Sequence, residues 1–417
     1  MQSRFKFAAL VAGLAIVASA CSSTAASPSA VPASAAPSAP ASVAPSTVPS
    51  PAGLTGKLTV WHSYGSSGGG AEFKAFSRIL EGIKAANPGL QVEALDVPFS
   101  DIFKKFETES AAGGGPDLFI APNDSLGSEV RGKFLSPLDG KIDATVGNSS
   151  DVSVAASKVA GVLYEVPESL KAVAMEYDAD KIKTPPTTLA DLLTFVKGGG
   201  KVGMISGVYF DWGLYAAFGG KIFDDTGKCA ATANSGVADA MQYVVDLKKA
   251  GALVDADYGK INDAFKSGKI DMIFNGNWTL GDYKAARPNL AVAPIPAGPG
   301  GNAAPLAGVD GWYINAASPN QDLAIAFAQA MVSDASQTIY VDVAGHVPAS
   351  KNVKIIDPLV AAYATAINQG TPRPQIAEMN NYWGNFGDAW NQVLQKGTDP
   401  KAAVATACAA MDKANSK

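Results

Sequence analysis

The sequence contains very few histidines and cysteines. Its 417 residues include only two histidines, His62 and His346, which nearly excludes a histidine-rich zinc site and any mechanism that needs several imidazoles. The three cysteines, Cys21, Cys229 and Cys408, are too few for a four-cysteine zinc or iron–sulfur site. We therefore predict no metal ion and no cofactor, and we interpret both histidines as hydrogen-bonded structural residues.

Positive charge is also scarce. The 33 lysines and arginines are outnumbered by 38 acidic residues, and the formal net charge of -5 argues against a surface that binds nucleic acid. Charged residues make up only 17% of the chain, but 17 Phe, 12 Tyr and 6 Trp supply material for a folded core. The length is sufficient for two domains of ordinary size.

The first residues have the pattern of a secretory signal. Two basic residues precede a short apolar run over 7–20, which is too short for an ordinary membrane-spanning helix. Small residues directly before Cys21 resemble the bacterial lipoprotein signal, in which the cysteine thiol is lipidated, although Ala18 replaces the usual leucine. We predict a lipoprotein signal peptide over 1–20 and a lipid on Cys21. Plain secretion with cleavage near residue 20 is the alternative.

Residues 21–53 form a low-complexity segment. They are almost entirely Ser, Ala, Pro, Thr and Val, with no charge and no aromatic ring. Such a segment cannot bury enough apolar area to offset its ordering entropy, and its prolines favour extended conformations. We predict a flexible tether that holds an extracytoplasmic protein on the outer face of the cell membrane through Cys21.

Cys229 and Cys408 are left as an even pair once Cys21 is lipidated. Outside the cytoplasm the environment is oxidising, which favours disulfides. We predict a disulfide between the two cysteines, with a pair of buried free thiols as the alternative.

The ordered part of the chain alternates between strand and helix patterns. A β-rich strand over 57–62 precedes a helix over 71–86, where apolar residues recur at three- and four-residue spacing. A strand over 90–97, a helix over 100–112 and a short buried strand over 118–121 follow. The alternation recurs toward the C terminus, which predicts an α/β fold.

One enzyme motif is present. Residues 65–69 fit the Gly-x-Ser-x-Gly pattern of a hydrolase nucleophile elbow, with Ser67 as the nucleophile. Such an elbow needs sheet and an oxyanion loop upstream, and few ordered residues precede Ser67. A phosphate-binding P-loop, a dinucleotide fingerprint and an EF-hand are absent from the sequence. An extracellular hydrolase that uses Ser67 or a pair of carboxylates is the alternative function.

Five blocks of residues resemble, in the same order, segments of one protein family. They are 115–124 (GPDLFIAPND) with 127 and 134–138 (FLSPL), 209–212 (YFDW), 264–269 (AFKSGK) running into 275–278 (NGNW), 314–320 (INAASPN), and Met379 with Tyr382 and Trp383. The family is that of the carbohydrate-binding proteins of ABC importers, of the maltose/maltodextrin-binding type. The similarity covers nearly all of residues 57–417.

The resemblance implies a two-lobed, periplasmic-binding-protein-like α/β fold with an interlobe cleft and crossover hinge strands. The first lobe would comprise residues 54–170 and 306–350, and the second lobe residues 171–305 and 351–417. The resemblance further implies capture of a sugar without catalysis, and delivery to the transmembrane subunits of an ABC permease. We expect the protein to be a monomer.

The resemblance also implies ligand-binding residues. Tyr209, Trp278 and Trp383 carry over as aromatic rings of the second lobe, and Asp124 carries over as a first-lobe carboxylate for sugar hydroxyls. The C–H face of a pyranose suits a flat ring, and its hydroxyl edge suits carboxylates. Alternatively, Asp124 caps the following helix, and Trp61 packs in the core. The other predicted ligand-binding residues are Trp61, Gly311, Trp312, Ser63 and Glu168. Tyr64 and Asp310 are, with Ser63 and Glu168, candidates for replacement polar contacts.

Several polar positions depart from the family pattern. Ser125 and Gly65 replace an arginine and an aspartate, while Gly207 and Lys171 replace acidic residues. We interpret Lys171 as an exposed cation. The aromatic residues are kept while the polar contacts are changed, so the sequence predicts a sugar more firmly than it predicts maltose. A binder of the same fold for a non-sugar solute is a further alternative.

Overall fold

The structure, a computed structural model, describes residues 53–65 and 69–417. The predicted signal peptide, the tether up to residue 52, Cys21 and Ser67 lie outside the described residues. Within the described ranges, no helix is both long enough and apolar enough to cross a membrane.

The described residues form strands and helices that alternate along the chain. The strands are β1 (Gly56–His62), β2 (Leu90–Asp96), β3 (Leu118–Pro122), β4 (Lys158–Val159), β5 (Val162–Leu163), β6 (Glu165–Lys171), β7 (Val173–Asp178), β8 (Val202–Ile205), β9 (Leu253–Asp255), β10 (Met272–Gly276), β11 (Leu290–Ala293), β12 (Leu306–Ile314), β13 (Val347–Pro348) and β14 (Thr371–Pro372). The helices are α1 (Ala71–Ala86), α2 (Phe99–Ala111), α3 (Leu126–Arg131), α4 (Asp143–Asn148), α5 (Asp151–Ala156), α6 (Leu189–Lys197), α7 (Trp212–Ala217), α8 (Gly236–Ala250), α9 (Tyr258–Lys266), α10 (Leu280–Ala286), α11 (Gln321–Met331), α12 (Asp334–Ala344), α13 (Pro358–Asn368), α14 (Met379–Lys396) and α15 (Pro400–Ala414), with a 3₁₀ turn at Asn277–Thr279.

The strands form two large sheets. In the first sheet the order is β13-β6-β12-β3-β1-β2, and β14 pairs with β12. Within it β1 is parallel to β2 and β3, whereas β12 is antiparallel to β3 and β6. The second sheet has the order β11-β7-β10-β8-β9, and helices pack against both sheets. This is the α/β architecture that the alternating pattern predicts.

The chain passes from one sheet to the other with very short connections. Strand β6 of the first sheet ends at Lys171 and strand β7 of the second sheet begins at Val173, so a single residue separates them. The chain returns to the first sheet at β12 and leaves it again after β14 for α14 and α15, which pack in the core of the second sheet. The exact boundaries of the two lobes stay a prediction.

Helix α1 has the bounds that its apolar spacing predicts. Phe76 and Ile83 are buried against the first sheet, which is the hydrophobic gain that stabilises the helix in place. The backbone N–H of Ala71 donates to the carboxylate of Asp282 in α10 at 2.9 Å. A carboxylate at a helix N terminus pairs with an otherwise free N–H and with the helix dipole. The start of α1 is thereby fixed to α10.

A disulfide joins Cys229 and Cys408, the two cysteines paired in the sequence-based prediction. Their Cα atoms are 5.4 Å apart, and 179 residues separate them along the chain. Cys408 lies in α15 within the core of the second sheet, and Cys229 precedes α8. The N–H of Cys229 also donates to the carboxylate of Asp412 at 2.8 Å. The C-terminal helix is therefore fixed to this core by a covalent and a polar contact.

Loss of this disulfide is expected to lower the free energy of unfolding. A bond that closes so long a loop typically contributes about 2–4 kcal/mol by restricting the unfolded chain. In a Cys21→Ser background, the Cys229→Ser/Cys408→Ser variant should lose roughly this amount in urea denaturation. Reductant should destabilise the Cys21→Ser protein but not the further substituted one. Two free thiols in the denatured, unreduced Cys21→Ser protein would contradict the bond.

Candidate functional site

A cavity of about 850 Å³ lies between the two sheets. It brings together five of the residues predicted to bind ligand, namely Ser63, Asp124, Tyr209, Trp278 and Trp383. The other lining residues are Tyr64, Glu72, Phe99, Ser100, Ile120, Ala121, Pro122, Lys171, Phe210, Tyr258 and Asp310. Because these residues come from both sheets, a ligand in the cavity contacts both.

Aromatic rings form the wall of the cavity on the side of the second sheet. The ring centroids of Tyr209 and Trp278 are 5.9 Å apart, and those of Phe210 and Tyr258 are 6.0 Å apart. The indole Nε1 of Trp278 donates to the Tyr258 hydroxyl at 3.0 Å. These contacts hold the rings of the wall in fixed orientations. Trp383, on α14, adds a further ring to the lining.

The residues before Trp278 explain its placement. The side chain of Asn277 donates to the Leu170 carbonyl oxygen at 3.0 Å and accepts from the N–H of Ala172 at 3.4 Å. This pair of bonds fixes the turn to the chain segment that crosses between the sheets. A Cβ at Gly276 would overlap the Trp278 ring, so only glycine lets the ring fold back over the end of β10.

A buried ion pair lies where the chain crosses between the sheets. Lys171 Nζ is 2.7 Å from Asp310 Oδ1, and both side chains are largely buried. The same ammonium group lies 5.7 Å from the centroid of the Trp278 ring. The expectation that Lys171 is an exposed cation is therefore wrong. Its strand, β6, is buried along its whole length between β12 and β13.

Asp124 is held by an arginine that sequence reasoning missed. Arg373, which follows β14, has a fully buried side chain and forms an ion pair with the Asp124 carboxylate. Burial lowers the pKa of Arg373 to about 9, which leaves the guanidinium charged at neutral pH. No side-chain cap from Asp124 is found at α3, whose N-terminal cap position is occupied by Ser125. The carboxylate thus takes the ion pair rather than the capping role weighed from the sequence.

His346 lies between two glutamates. Its Nδ1 is 2.9 Å from Glu168 Oε1 and its Nε2 is 3.0 Å from Glu72 Oε1, while its ring stacks on Tyr340. Burial by itself would lower the pKa of His346, but the charges and hydrogen bonds of Glu168 and Glu72 raise it well above its ordinary value. Burial raises the pKa of both glutamates. The three side chains form one hydrogen-bonded cluster beside the cavity, since Glu72 is a lining residue.

Four predicted ligand-binding residues do not line the cavity. Trp61 and Trp312 are buried in the cores on either side of the first sheet, where Trp61 packs near Phe106 and Trp312 near Phe76. Gly311 abuts the Glu165 side chain, and Glu168 is buried against His346. Asp310, which lies on the same strand as Trp312, does line the cavity.

Burial on both faces of the first sheet accounts for the placement of these residues outside the lining. Strands β6 and β12 are buried at every position, so their sequences carry no alternation that would identify the ligand-facing side chains. A register shift between β6 and β12 also falls at Asp310/Gly311, which leaves Glu168 as an extra residue on β6. Such bulges change the direction of side chains.

Glu72 and Arg373 are the main residues that the sequence did not reveal. The position of Glu72 in the sequence indicated a ligand-binding role only weakly. It lies in the first turn of the helix that follows a parallel strand, and that end of such a sheet is where ligands bind. Nothing in the sequence indicated the role of Arg373, since its partner Asp124 is 249 positions away along the chain.

The two histidines are expected to titrate on opposite sides of the ordinary histidine pKa of about 6.5. Burial lowers the pKa of His62, whereas the two glutamates raise that of His346. A raised pKa means that the stabilisation from His346 is complete below about pH 6.5 and is lost as the pH rises through the higher folded-state value.

Nuclear magnetic resonance of histidine-labelled protein measures both values directly. Glu168→Gln should lower the pKa of His346 and leave that of His62 unchanged, which makes His62 an internal control. Two histidines that both titrate below the ordinary value would contradict the paired arrangement.

Comparison with known proteins gives the family that the sequence blocks resemble. The chain matches the model of the family described as bacterial extracellular solute-binding protein over residues 78–367. A maltotriose-binding protein of Pyrococcus abyssi (strain GE5 / Orsay) is 25% identical over 368 residues, which covers 84% of this chain and 79% of the relative. A maltooligosaccharide ABC transporter solute-binding lipoprotein of Streptococcus pneumoniae (strain ATCC BAA-255 / R6) is 26% identical over 311 residues, with 67% and 71% covered.

A solved structure agrees with these relatives. The Thermus thermophilus maltotriose binding protein bound with maltotriose has a TM-score of 0.79 and 30% identity, and the match covers 86% of this chain and 100% of that one. These relatives are binding proteins and not enzymes, so the hydrolase alternative is set aside. The predicted two-lobed α/β fold and the predicted family are confirmed. The chain belongs to the bacterial extracellular solute-binding proteins, and within them it is of the maltose/maltodextrin type.

Proposed function

We propose that the protein captures an oligosaccharide of glucose-like units in the cavity and delivers it to an ABC permease. The observation that carries the proposal is the composition of the cavity. Trp278, Tyr209 and Trp383 line the cavity together with the carboxylates Asp124 and Asp310. Flat rings suit the C–H faces of pyranoses, and carboxylates suit their hydroxyl edges.

The size of the cavity supports a ligand of more than one sugar unit. Its volume of about 850 Å³ lies in the upper part of the range of roughly 300–1,000 Å³ that is usual for small-molecule sites. The names of two relatives point to ligands of this size, since they are called maltotriose-binding. A third relative is named for maltooligosaccharides.

The polar residues of this chain would determine which oligosaccharide binds. Asp124 is engaged by Arg373, Asp310 by Lys171 and Glu72 by His346. A ligand that matches these fixed groups gains hydrogen bonds, whereas one that does not match leaves buried polar atoms unpaired. This is why we propose a glucose-like oligosaccharide and leave the linkage to experiment.

Binding would favour a closed arrangement of the two lobes. A ligand that contacts both sheets binds the closed form more tightly than the open form, and it therefore shifts the population toward closure. The short connection between β6 and β7 is the kind of segment that serves as a hinge. A permease that recognises the closed form would receive loaded protein only.

The N-terminal segment would keep the protein near the permease. A lipid on Cys21 and a proline-rich tether up to residue 53 would let the folded part move close to the membrane without leaving it. One relative is itself named a lipoprotein, which supports this assignment.

Maltotriose or a longer maltooligosaccharide is expected to stabilise the protein against heat. At about 100 times its dissociation constant, a ligand adds roughly 2.7 kcal/mol to the free energy of unfolding. Trp278→Ala should weaken binding by about 10- to 100-fold, because the largest ring of the wall is lost. Trp278→Phe is the matched control, since it keeps a flat ring and loses only the bond to Tyr258.

A thermal-shift panel of mono-, di- and oligosaccharides makes the measurement, followed by calorimetry of the sugars that shift the melting temperature. The sugar assignment fails if no member of the panel changes the melting temperature of the wild-type protein.

Replacement of the predicted lipidation residue is expected to release the protein from the membrane. Expressed with its own leader, the wild type should partition into the detergent phase of a Triton X-114 extraction, and Cys21→Ser should move to the aqueous phase. Sugar binding by the released protein should be unchanged, because Cys21 is remote in sequence from every residue of the cavity. A wild-type protein found only in the aqueous phase would argue for plain secretion.

A further inference from the structure

Arg373 lies beside the cavity but not in its lining. Its backbone N–H donates to the carbonyl oxygen of Ala307 on β12 at 3.0 Å, which anchors it to the first sheet. Its side chain is completely buried. A buried guanidinium is costly unless it is paired and hydrogen-bonded, so the partners of this side chain indicate its role.

The partners of Arg373 come from both walls of the cavity. On the side of the first sheet, Nη1 bonds the carboxylate of Asp124 and, at 3.2 Å, Oδ1 of Asn123. On the side of the second sheet, the guanidinium carbon is 5.2 Å from the centroid of the Tyr209 ring, within the range of a cation–π contact. Since Asp124 and Tyr209 both line the cavity, one buried side chain contacts two lining residues on opposite walls.

The residues after Arg373 bind the same loop. Nε2 of Gln375 donates to the carbonyl oxygen of Asn123 at 3.1 Å, and its Oε1 accepts from the N–H of Gly127 at 3.2 Å. The loop that follows β3 is thereby attached to the segment that follows β14 at several points. Nε and Nη2 of Arg373 have no hydrogen-bond partner among the described residues, so Nη1 makes the polar contacts of this side chain.

We propose that Arg373 is a positioning residue that fixes the Asp124 carboxylate and the Tyr209 ring relative to each other. It would thereby raise ligand affinity without contacting the ligand. With Oδ1 of Asp124 engaged, Oδ2 is the oxygen left to accept a ligand hydroxyl. Groups that are held in their binding geometry beforehand lose less conformational entropy when the ligand arrives. The use of a sugar as the probe rests on the proposed function.

The test is a double-mutant cycle with maltotriose as the probe, measured by calorimetry. Arg373→Met removes the charge but keeps length and apolar contact with Tyr209, and it should weaken binding by at least about tenfold. In the Arg373→Met background, Asp124→Asn should cost little more, because Asp124 depends on Arg373 for its position. Independent losses that multiply in the double variant would overturn the proposal, as would wild-type affinity in Arg373→Met.

Stability measurements separate positioning from a general structural role. Asp124→Asn alone leaves the buried guanidinium without its carboxylate and should have the lowest melting temperature, whereas the double variant should recover. Arg78→Gln, at an exposed position of α1, is the matched control and should bind as the wild type does. If Asp124→Asn does not fold, the comparison of Arg373→Met with the double variant still decides between dependent and independent effects.

A crystal structure of unliganded Arg373→Met gives a reading that needs no ligand. Asp124 and Tyr209 should both be displaced or disordered while the two sheets stay unchanged, and unaltered positions of both side chains would overturn the proposal. A wild-type protein that binds no member of the sugar panel would contradict the proposed function instead. The unliganded structure would then decide the role of Arg373 by itself.

Discussion

The basic side chains at the junction of the two sheets, Lys171 and Arg373, have almost no access to water, and the geometry of the cavity depends on how they are paired. Lys171 stands one residue away from the second sheet, where an unpaired charge would carry a large desolvation penalty. Asp310 on the neighbouring strand supplies the opposite charge. The same requirement accounts for the partnership of Asp124 with Arg373. Each of these ion pairs places a carboxylate at the cavity surface in a defined position.

These pairs give the cavity its polar character before any ligand is present. A carboxylate that is already held by a cation from the protein keeps its orientation, and a hydroxyl that approaches meets an acceptor that needs little rearrangement. The aromatic wall is fixed in a similar way, because the indole of Trp278 is bonded to Tyr258 and its turn is bonded to the crossing segment. Both walls are therefore ordered by contacts made outside the space that the ligand would occupy.

The sequence predicts the features that depend on local pattern. Helix α1 follows from apolar spacing, and Tyr209, Trp278 and Trp383 reach the cavity as the family blocks imply. Where a strand is buried on both faces, pattern does not distinguish its side chains, and of the two candidates on β12 the cavity is lined by Asp310 and not by Trp312. The partners of the cavity carboxylates could not be predicted from the sequence for a different reason.

Those partners lie far from each other along the chain. Glu72 and His346 are 274 residues apart, and Asp124 and Arg373 are 249 apart. A single sequence contains no spacing rule that connects such distant positions. The fold brings them together because the chain leaves the first sheet and returns to it, and only the assembled sheets show which charges meet.

The disulfide has a topological consequence. Between Cys229 and Cys408 the chain enters the first sheet through β12 and β13 and then returns to the second sheet, so the bond closes a covalent ring that passes through both. The segment before α13, where Ile356 is 88% exposed, lies inside this ring. A protease that cuts there leaves the two ends joined through sulfur. An extracytoplasmic protein built in this way can be nicked at this exposed segment without being divided into two pieces.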